Sequence, residues 1–448
     1  MTTKSPAHKA HDELYLWFLA NPAQPELIGT LNLVNPGNGV SLRYSQSWLK
    51  SGVALSEDLP LIDTEFLPRT RDVAVSAVDD ARPDRWGERV IRFIDKPVRL
   101  SLMEYLYYAG DDRFGALGVS TSGNVYLPRL IGPLPRLQDA QQLSDIVSKI
   151  KAKEAITEVE KKMMVSGGSF GGAKPKALIE INGEQWLIKF FNNEPIDLPL
   201  VEHATMTLCK KADIAVADTQ TAHLEGAHAI VIRRFDRQDG KRVHCISAGT
   251  ALRAAAPKPE QAEMSYSNLA QLLRRSGDAL NNKNQKQMGE LFRRMIFNIL
   301  MDNTDDHEKN HALFVKYTPV KAGSSIRTVQ LELTPAYDVL PTNSGQGYQE
   351  FGIGDNGHDS TLENAMTRCR LFGFTPPEAA AEVAKVIAVV DTWKEHFRSC
   401  SVSDADILEL AGRIDSDDLL SQRRGFRVEA FVDEPPRTRR GPFSKPGN

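Results

Sequence analysis

A carboxylate and a carboxamide lie five positions apart in the segment Thr304-Asp305-Asp306-His307-Glu308-Lys309-Asn310. This spacing is typical of the catalytic loop of kinases. There, an aspartate orients or deprotonates the attacking hydroxyl, and an asparagine five residues later holds a magnesium ion on the nucleotide phosphates. The same residue types are also favoured at polar helix caps. The segment alone therefore leaves both interpretations open.

A glycine-rich stretch at 166–176 is a second candidate for nucleotide chemistry. It precedes two apolar runs joined by Asn182-Gly183, which predicts a β-hairpin whose second strand ends at Lys189. Backbone N–H groups of such a loop can close over phosphates, and a lysine on a neighbouring strand can supply a cation. Taken singly, a glycine-rich loop is more often a flexible turn, and a lysine at the end of a strand is more often a solvated charge.

Three later features complete the set that a kinase needs. A helix predicted over 200–212 carries Glu202 in its first turn. Glu202 would pair there with Lys189, or its carboxylate would simply be stabilised by the helix dipole. The segment at 229–237 is an apolar strand followed by charged residues. This is expected at a hinge between two lobes, where backbone groups can hydrogen-bond to the adenine edge. Asp338 follows a short strand and would hold a second metal position, although an isolated Asp is also a turn residue.

Apolar residues recur at helical spacing immediately before the Asp305 segment, and they are Met288, Leu291, Phe292, Met295, Ile296, Ile299 and Leu300. This pattern predicts a helix buried on a broad face. A buried helix holds the loop that follows it rigidly, as a catalytic constellation requires. The placement therefore favours a catalytic loop over a helix cap.

The composition limits the remaining possibilities. The chain has 448 residues, with 55 Lys plus Arg against 58 Asp plus Glu and a formal net charge of -3, which argues against direct nucleic-acid binding by the whole chain. Its 4 cysteines have no paired short spacing, which argues against a zinc site or a disulfide framework. The polar N-terminus and the absence of a run of about 18 apolar residues predict a soluble, cytoplasmic protein with no membrane partner.

The predicted fold is α+β, with a two-lobed protein-kinase-like architecture, an N-terminal α+β subdomain and a mainly helical C-terminal lobe. Asp84 begins a predicted amphipathic helix in that subdomain. The expected segments are a subdomain at 12–125, a linker at 126–165, a kinase N-lobe at 166–255, a C-lobe at 256–422 and a disordered basic tail at 423–448.

The glycine-rich loop, strand lysine, helical glutamate, hinge and later carboxylates occur in kinase order, and several of the strings resemble a known family. The chain is similar to the HipA serine/threonine kinases, the toxins of bacterial toxin–antitoxin pairs. The strings that carry the resemblance are Ser169-Phe170-Gly171-Gly172-Ala173-Lys174-Pro175-Lys176, Arg234-Phe235-Asp236-Arg237, Asn303 to Asn310, Pro335-Ala336-Tyr337-Asp338 and, more loosely, Pro83-Asp84-Arg85-Trp86-Gly87.

The resemblance implies a role for each matched position. Asp305 would be the catalytic base, with Asp306 as its rival, and Asn310 and Asp338 would hold Mg²⁺. Ser169 matches a loop serine that these kinases autophosphorylate. The residues implied in ATP binding are Gly171, Gly172, Ala173, Lys174, Pro175, Lys176, Lys189, Arg233, Phe235, His307, Lys309, Asn310, Tyr337 and Asp338.

The resemblance also implies partners. The phosphoryl acceptor would be a serine of a cellular protein, with aminoacyl-tRNA synthetases as the implied class. A helix-turn-helix antitoxin, similar to HipB, would bind the kinase and carry it to operator DNA, in agreement with the lack of net basic charge.

Two alternatives remain open at this point. One is a small-molecule kinase of the aminoglycoside or lipid type, and the other is a co-repressor that binds antitoxin and DNA without chemistry.

Overall fold

The computed structural model describes residues 10–34, 39–129, 133–164, 174–191, 194–258, 261–319, 327–342 and 344–431. Within these ranges, no helix is both long enough and apolar enough to span a membrane. Four residues predicted to act in the glycine-rich loop lie outside the described residues, and they are Ser169, Gly171, Gly172 and Ala173.

The N-terminal domain is built on an antiparallel sheet of five strands in the order β4-β3-β2-β1-β5. Gly29 is required in this sheet, because a Cβ there would lie 2.1 Å from the carbonyl oxygen of Arg43. The strands are β1 Glu13–Phe18, β2 Glu26–Val34, β3 Gly39–Tyr44, β4 Glu65–Phe66 and β5 Leu117–Ser120, and the helices are α1 Gln46–Ser51, α2 Arg85–Ile94 and α3 Leu102–Tyr108. The predicted helix start at Asp84 is confirmed, since its carboxylate accepts from the Gly87 N–H at the α2 N-terminus.

The N-lobe contains an antiparallel sheet in the order β6-β7-β9-β8. Asn182 and Gly183 form the expected hairpin turn, both at positive φ. The strands are β6 Lys176–Ile181, β7 Glu184–Phe190, β8 Thr219–Leu224 and β9 Ala227–Arg233. Three helices accompany them, and these are α4 Ala140–Ala152, α5 Glu158–Met164 and α6 Leu198–Lys211.

The segment predicted as a linker is largely helical and packed. Leu143, Ile146 and Val147 of α4 are fully buried and share a core with Ile188 of β7. Their spacing places them on one face of the helix, so burial of apolar area holds α4 on the sheet. Residues 140–164 therefore belong to the N-lobe.

The C-lobe combines helices with a small sheet in the order β12-β13-β14, preceded by a short β10-β11 hairpin. Since β12 pairs with β13, residues 245–255 pack with the C-lobe and not with the N-lobe, to which they were predicted to belong. The strands are β10 Arg237–Gln238, β11 Lys241–Arg242, β12 Cys245–Ser247, β13 Ala312–Pro319 and β14 Arg327–Leu333. The helices are α7 Ala248–Ala255, α8 Tyr266–Ser276, α9 Lys283–Leu300, α10 Leu362–Thr367, α11 Pro376–Val390, α12 Trp393–Ser399, α13 Asp404–Ile414 and α14 Asp417–Gly425.

The start of the predicted basic tail is part of the folded lobe. Arg423 is buried at the end of α14, where its guanidinium pairs with Asp391 at 3.0 Å and with Asp415 at 2.6 Å. A 3₁₀ turn at Val428–Phe431 follows. Only 432–448 of the predicted tail lies outside the described residues.

Candidate active site

Helix α9 delivers the chain to the candidate catalytic loop, as its apolar pattern predicts. Met295, Ile296 and Leu300 are fully buried, so the helix end is fixed in the core. The turn out of the helix begins at Asp302, which has a φ of 54°, a left-handed conformation that Asp tolerates better than most residues. The hydroxyls of Thr304 and Thr342 then bond at 2.6 Å and tie the loop to the segment that follows Asp338.

The two adjacent aspartates of this loop lie in opposite environments. Asp305 is exposed, whereas Asp306 is buried, with its Oδ2 accepting from the Tyr266 hydroxyl and from His311 Nε2. Partial burial raises the pKa of the Asp305 carboxyl, His307 opposes that rise, and the nearby Asp338 charge adds to it. Of the two rivals, Asp305 is the carboxylate that an incoming hydroxyl can reach.

The end of the loop is held by short hydrogen bonds around Asn310. The Asn310 backbone N–H donates to the His307 carbonyl at 2.9 Å, and its side-chain nitrogen donates to the Asp305 carbonyl at 3.4 Å. His307 Nδ1 in turn accepts from the Lys309 N–H at 3.2 Å. The Tyr337 hydroxyl donates to the Lys309 carbonyl at 2.8 Å, which joins the loop to the residue preceding Asp338.

A lysine bridges two carboxylates between the lobes. The Nζ of Lys189, at the end of β7, lies 2.7 Å from Glu202 Oε1 and 2.6 Å from Asp338 Oδ1. The expected contact between Lys189 and Glu202 is therefore present. Glu202 lies in the second turn of α6 and not in the first, because the helix begins at Leu198.

The three charged groups of this ion cluster shift one another's pKa. Burial opposes the charged form of Lys189, but Asp338 and Glu202 outweigh burial and raise its pKa. Burial likewise disfavours the Asp338 anion, and Lys189 reverses that effect and holds the Asp338 pKa below its usual range. Burial raises the pKa of Glu202, while Lys189 opposes the rise. Asp338 has a φ of 60°, in a loop five residues after β14 ends rather than at the strand end.

Phe235, which was predicted to lie at the hinge, packs within a group of aromatic side chains. Its ring centroid is 5.6 Å from that of Tyr337, 5.7 Å from that of Phe314 and 6.1 Å from that of Phe114 in the N-terminal domain. The backbone N–H of Arg233 already donates to the Asp218 carbonyl at 2.8 Å. A base at the hinge would therefore meet Phe235 rather than the N–H of Arg233.

The residues around Phe235 form a buried ionic brace that sequence reasoning missed. Asp236 accepts two hydrogen bonds from Arg234 at 3.0 and 2.8 Å, one from Arg237 at 3.0 Å and one from the Gly115 N–H at 2.8 Å. Burial disfavours the Asp236 anion, but Arg234 and Arg237 lower its pKa to about 2. The alternating charges of Arg234-Phe235-Asp236-Arg237 could have indicated this ion cluster from the sequence. The hydrogen bond from the Gly115 N–H could not be predicted, because Gly115 lies 121 residues before Asp236.

The described part of the predicted phosphate loop places its two lysines differently. Lys174 is half-exposed and pairs with Glu194 at 2.5 Å, and the Pro175 carbonyl accepts from the Phe190 N–H. Lys176 is buried, and its Nζ donates to Asp84 Oδ2 at 2.7 Å. Lys176 therefore clamps β6 to the N-terminal domain and does not point freely to a ligand.

This clamp gives a stability prediction. Asp84→Ala should lower the free energy of unfolding by about 3–5 kcal/mol, because it leaves a buried lysine without its carboxylate and removes the α2 cap. The double variant Asp84→Ala/Lys176→Met should recover most of that loss, since no buried charge remains. Urea unfolding curves measure both, with Lys174→Met as a surface control that should change the midpoint little. A double variant as unstable as Asp84→Ala would contradict the assignment.

The donor set at the interlobe site fits magnesium. The side chains of Asn310 and Asp338 offer hard oxygen ligands, and Mg²⁺ is commonly held by one or two such groups together with phosphate oxygens and waters. Among the described residues, no group of three or more His, Cys, Asp or Glu side chains could hold a metal ion. A metal at this site would therefore depend on the nucleotide for its remaining ligands.

Comparison with known proteins identifies the family and the fold of the chain. The family model for the HipA-like C-terminal domain matches residues 168–393, and that for the HipA N-terminal domain matches residues 23–120. The chain is 23% identical over 365 residues to the serine/threonine-protein kinase toxin HipA of Shewanella oneidensis, covering 72% of this chain and 75% of that protein. A solved HipA–HipB–operator DNA complex from Shewanella oneidensis MR-1 contains a chain with the same fold, at a TM-score of 0.62 and 16% identity, covering 94% of this chain and 100% of that one.

Proposed function

The chain belongs to the HipA family of serine/threonine-protein kinases, and from this premise we propose that it transfers the γ-phosphate of ATP to a serine of another protein. The observation that carries the proposal is the contact of Lys189 with the buried Glu202 and the partly buried Asp338, together with the exposed Asp305. Kinases require this lysine–glutamate pair and a metal-holding aspartate to be in place together.

In the proposed mechanism, Asp305 accepts the proton of the acceptor serine as its hydroxyl oxygen attacks the γ-phosphorus. A new P–O bond forms to the serine, the bond between the γ-phosphorus and the β–γ bridging oxygen breaks, and ADP leaves. The raised pKa of Asp305 makes it a better proton acceptor than an ordinary surface carboxylate. Lys189 would orient the nucleotide phosphates and balance their charge.

Asn310 and Asp338 are the proposed holders of Mg²⁺, which neutralises charge on the phosphate oxygens when it is bound. Apart from Lys176 and the Arg233 N–H, which make structural contacts, the remaining proposed nucleotide contacts are those that the family resemblance implies. Phe235 and Tyr337 would face the base, while His307 and Lys309 would line the phosphate side. The backbone of the loop that ends at Lys174 would cover the phosphates.

Phosphate transfer from labelled ATP tests the proposal directly. Wild-type protein with Mg²⁺ should label serine in a protein of a bacterial lysate and should leave a panel of sugars and aminoglycosides unlabelled. Label on a small molecule and not on protein would replace the proposal with the small-molecule kinase. Nucleotide binding without any transfer would favour the non-catalytic co-repressor.

Ser169 is the proposed site of self-limitation. A phosphate on this residue would add up to two negative charges next to a loop meant to receive nucleotide phosphates, so repulsion should turn the kinase off. We expect mass spectrometry after incubation with Mg-ATP to find phosphate on Ser169, and Ser169→Ala to remain active for longer. Phosphate on Ser166 with none on Ser169 would contradict this prediction.

The family also supports a proposal for partners. The HipA structural neighbour is in complex with HipB and operator DNA. We propose a HipB-like helix-turn-helix antitoxin that restrains this kinase and supplies the DNA contact, since this chain has a net charge of -3. An aminoacyl-tRNA synthetase is the proposed class of acceptor. Expression should arrest growth, and co-expression of the antitoxin or an Asp305→Ala change should relieve the arrest.

A further inference from the structure

Beneath the candidate catalytic loop lies a buried polar network that the proposed transfer step does not use. Its members, the loop network, are Tyr266, Asn298, Asn303, Asp306 and His311. Each is at most 3% exposed. Burial of this many polar groups is costly unless they bond to one another.

The loop network is a continuous chain of hydrogen bonds. Asn303 donates to Asn298 Oδ1 at 3.0 Å, and Asn298 donates to the Tyr266 hydroxyl at 2.9 Å. Tyr266 donates to Asp306 Oδ2, and His311 Nε2 donates to the same oxygen at 2.8 Å. This series of hydrogen bonds therefore contacts the loop on both sides of the proposed functional residues. It includes Asn303, before the proposed base, and His311, after the proposed metal ligand.

This placement fixes both functional neighbours. The Asp306 side chain is buried, and the preceding residue in the chain, Asp305, is exposed. His311 is anchored by the same carboxylate and adjoins Asn310. A shift of the loop backbone at Asp306 or His311 would break a buried hydrogen bond, and a buried acceptor left without its donor costs about 1–3 kcal/mol.

The loop network also holds the segment that follows Asp338. The ring of Phe351 stacks on His311 with centroids 5.3 Å apart and meets Tyr266 edge-on at 4.9 Å. The neighbouring Glu350 N–H donates to the Thr304 carbonyl at 3.1 Å. In kinases the segment after the metal aspartate controls whether the site is competent.

We propose that Asp306, His311 and Tyr266 are positioning residues. They hold Asp305 and Asn310 in transfer geometry and couple the catalytic loop to the segment around Phe351. The inference rests on the proposed kinase function. Groups that orient metal ligands and catalytic side chains in this way typically change metal affinity or activity about 10- to 100-fold when altered.

The test compares two tyrosine variants that each remove one buried hydroxyl. Tyr266→Phe breaks the loop network. Tyr44→Phe is the matched control, because the Tyr44 hydroxyl donates to the Leu59 carbonyl at 2.8 Å within the N-terminal domain. The readouts are phosphate incorporation from saturating labelled ATP, its Mg²⁺ dependence, ATP affinity without metal, and amide hydrogen exchange.

For Tyr266→Phe we expect a transfer rate about 10- to 100-fold lower and a higher half-saturating Mg²⁺ concentration. Its metal-free ATP affinity should stay within about twofold of wild type, because the Lys189 contacts are untouched. Hydrogen exchange should accelerate at 304–311 and 349–353. Tyr44→Phe should leave the transfer rate and these two segments unchanged.

A folded Tyr266→Phe with the wild-type rate and Mg²⁺ dependence would overturn the inference, as would equal losses in both variants. Asp306→Asn serves as a second variant with the same expectations if Tyr266→Phe does not fold. Absence of any transfer by wild-type protein would instead contradict the proposed kinase function. In that case the hydrogen-exchange comparison still decides whether Tyr266 couples the two segments.

Discussion

Asp305→Asn should lower the rate of phosphate transfer roughly 100- to 10,000-fold, because the proton of the acceptor hydroxyl loses its acceptor. Nucleotide affinity should change little, since this side chain meets the acceptor rather than ATP. Single-turnover transfer from labelled ATP measures the rate, and titration with a fluorescent ATP analogue measures the affinity. The loss should appear in kcat and hardly at all in the nucleotide Kd.

Asp306→Asn is the matched control for this prediction because it changes the adjacent carboxylate in the same way. Its side chain is buried in the loop network, so we expect a smaller loss, accompanied by a shifted Mg²⁺ dependence. Inactive Asp306→Asn together with active Asp305→Asn would reverse the assignment of the base. Equal effects of both would mean that the two carboxylates act as one unit.

Lys189→Met should both stop transfer and destabilise the protein by about 3–5 kcal/mol, because it leaves the buried Glu202 carboxylate without its cation. The cost should depend on pH. Burial raises the pKa of Glu202, and in the variant the opposing Lys189 charge is gone. The folded variant then binds more protons than its unfolded chain, so its free energy of unfolding must fall as the pH rises.

Urea unfolding of wild type and Lys189→Met near pH 5 and near pH 8 measures this dependence. The destabilisation should be smaller at the lower pH, where Glu202 can be neutral in the folded protein. Lys189→Met/Glu202→Gln should remove the part of the pH dependence that comes from Glu202 and keep a smaller part from Asp338, whose pKa also rises when Lys189 is lost. A cost that is equal at both pH values would contradict the proposed origin of the effect.

The parts of the site that follow local rules could be predicted from the sequence. The turn at Asn182-Gly183 follows from backbone preferences, and the α9 helix follows from its apolar spacing. The contact between Lys189 and Glu202 could be predicted because a strand lysine and a helical glutamate occurred in kinase order. The two-lobed α+β fold was predicted correctly on the same basis and on the family resemblance.

The parts that depend on distant pairs could not be predicted. Lys176 is a phosphate-loop lysine by its position, yet its partner Asp84 lies 92 residues earlier. The bond from Gly115 to Asp236 spans 121 residues. Such pairs leave no periodic signal, so charge alone could not separate a ligand-binding lysine from a buried structural one. The helix α4 had a readable apolar face, but its flanking charges and prolines favoured a linker instead.

The clamp at Lys176 and the brace at Asp236 determine whether the N-terminal domain and the catalytic half can be separated into two independent fragments. Both join the catalytic half to the N-terminal domain, through Lys176 with Asp84 and through Asp236 with Gly115, so each half leaves charged groups uncovered if the other is removed. The two halves should therefore melt together rather than in sequence. Any ligand that tightens the interlobe site would then also protect the first 125 residues, and a truncated catalytic half would be a poor substitute for the intact protein.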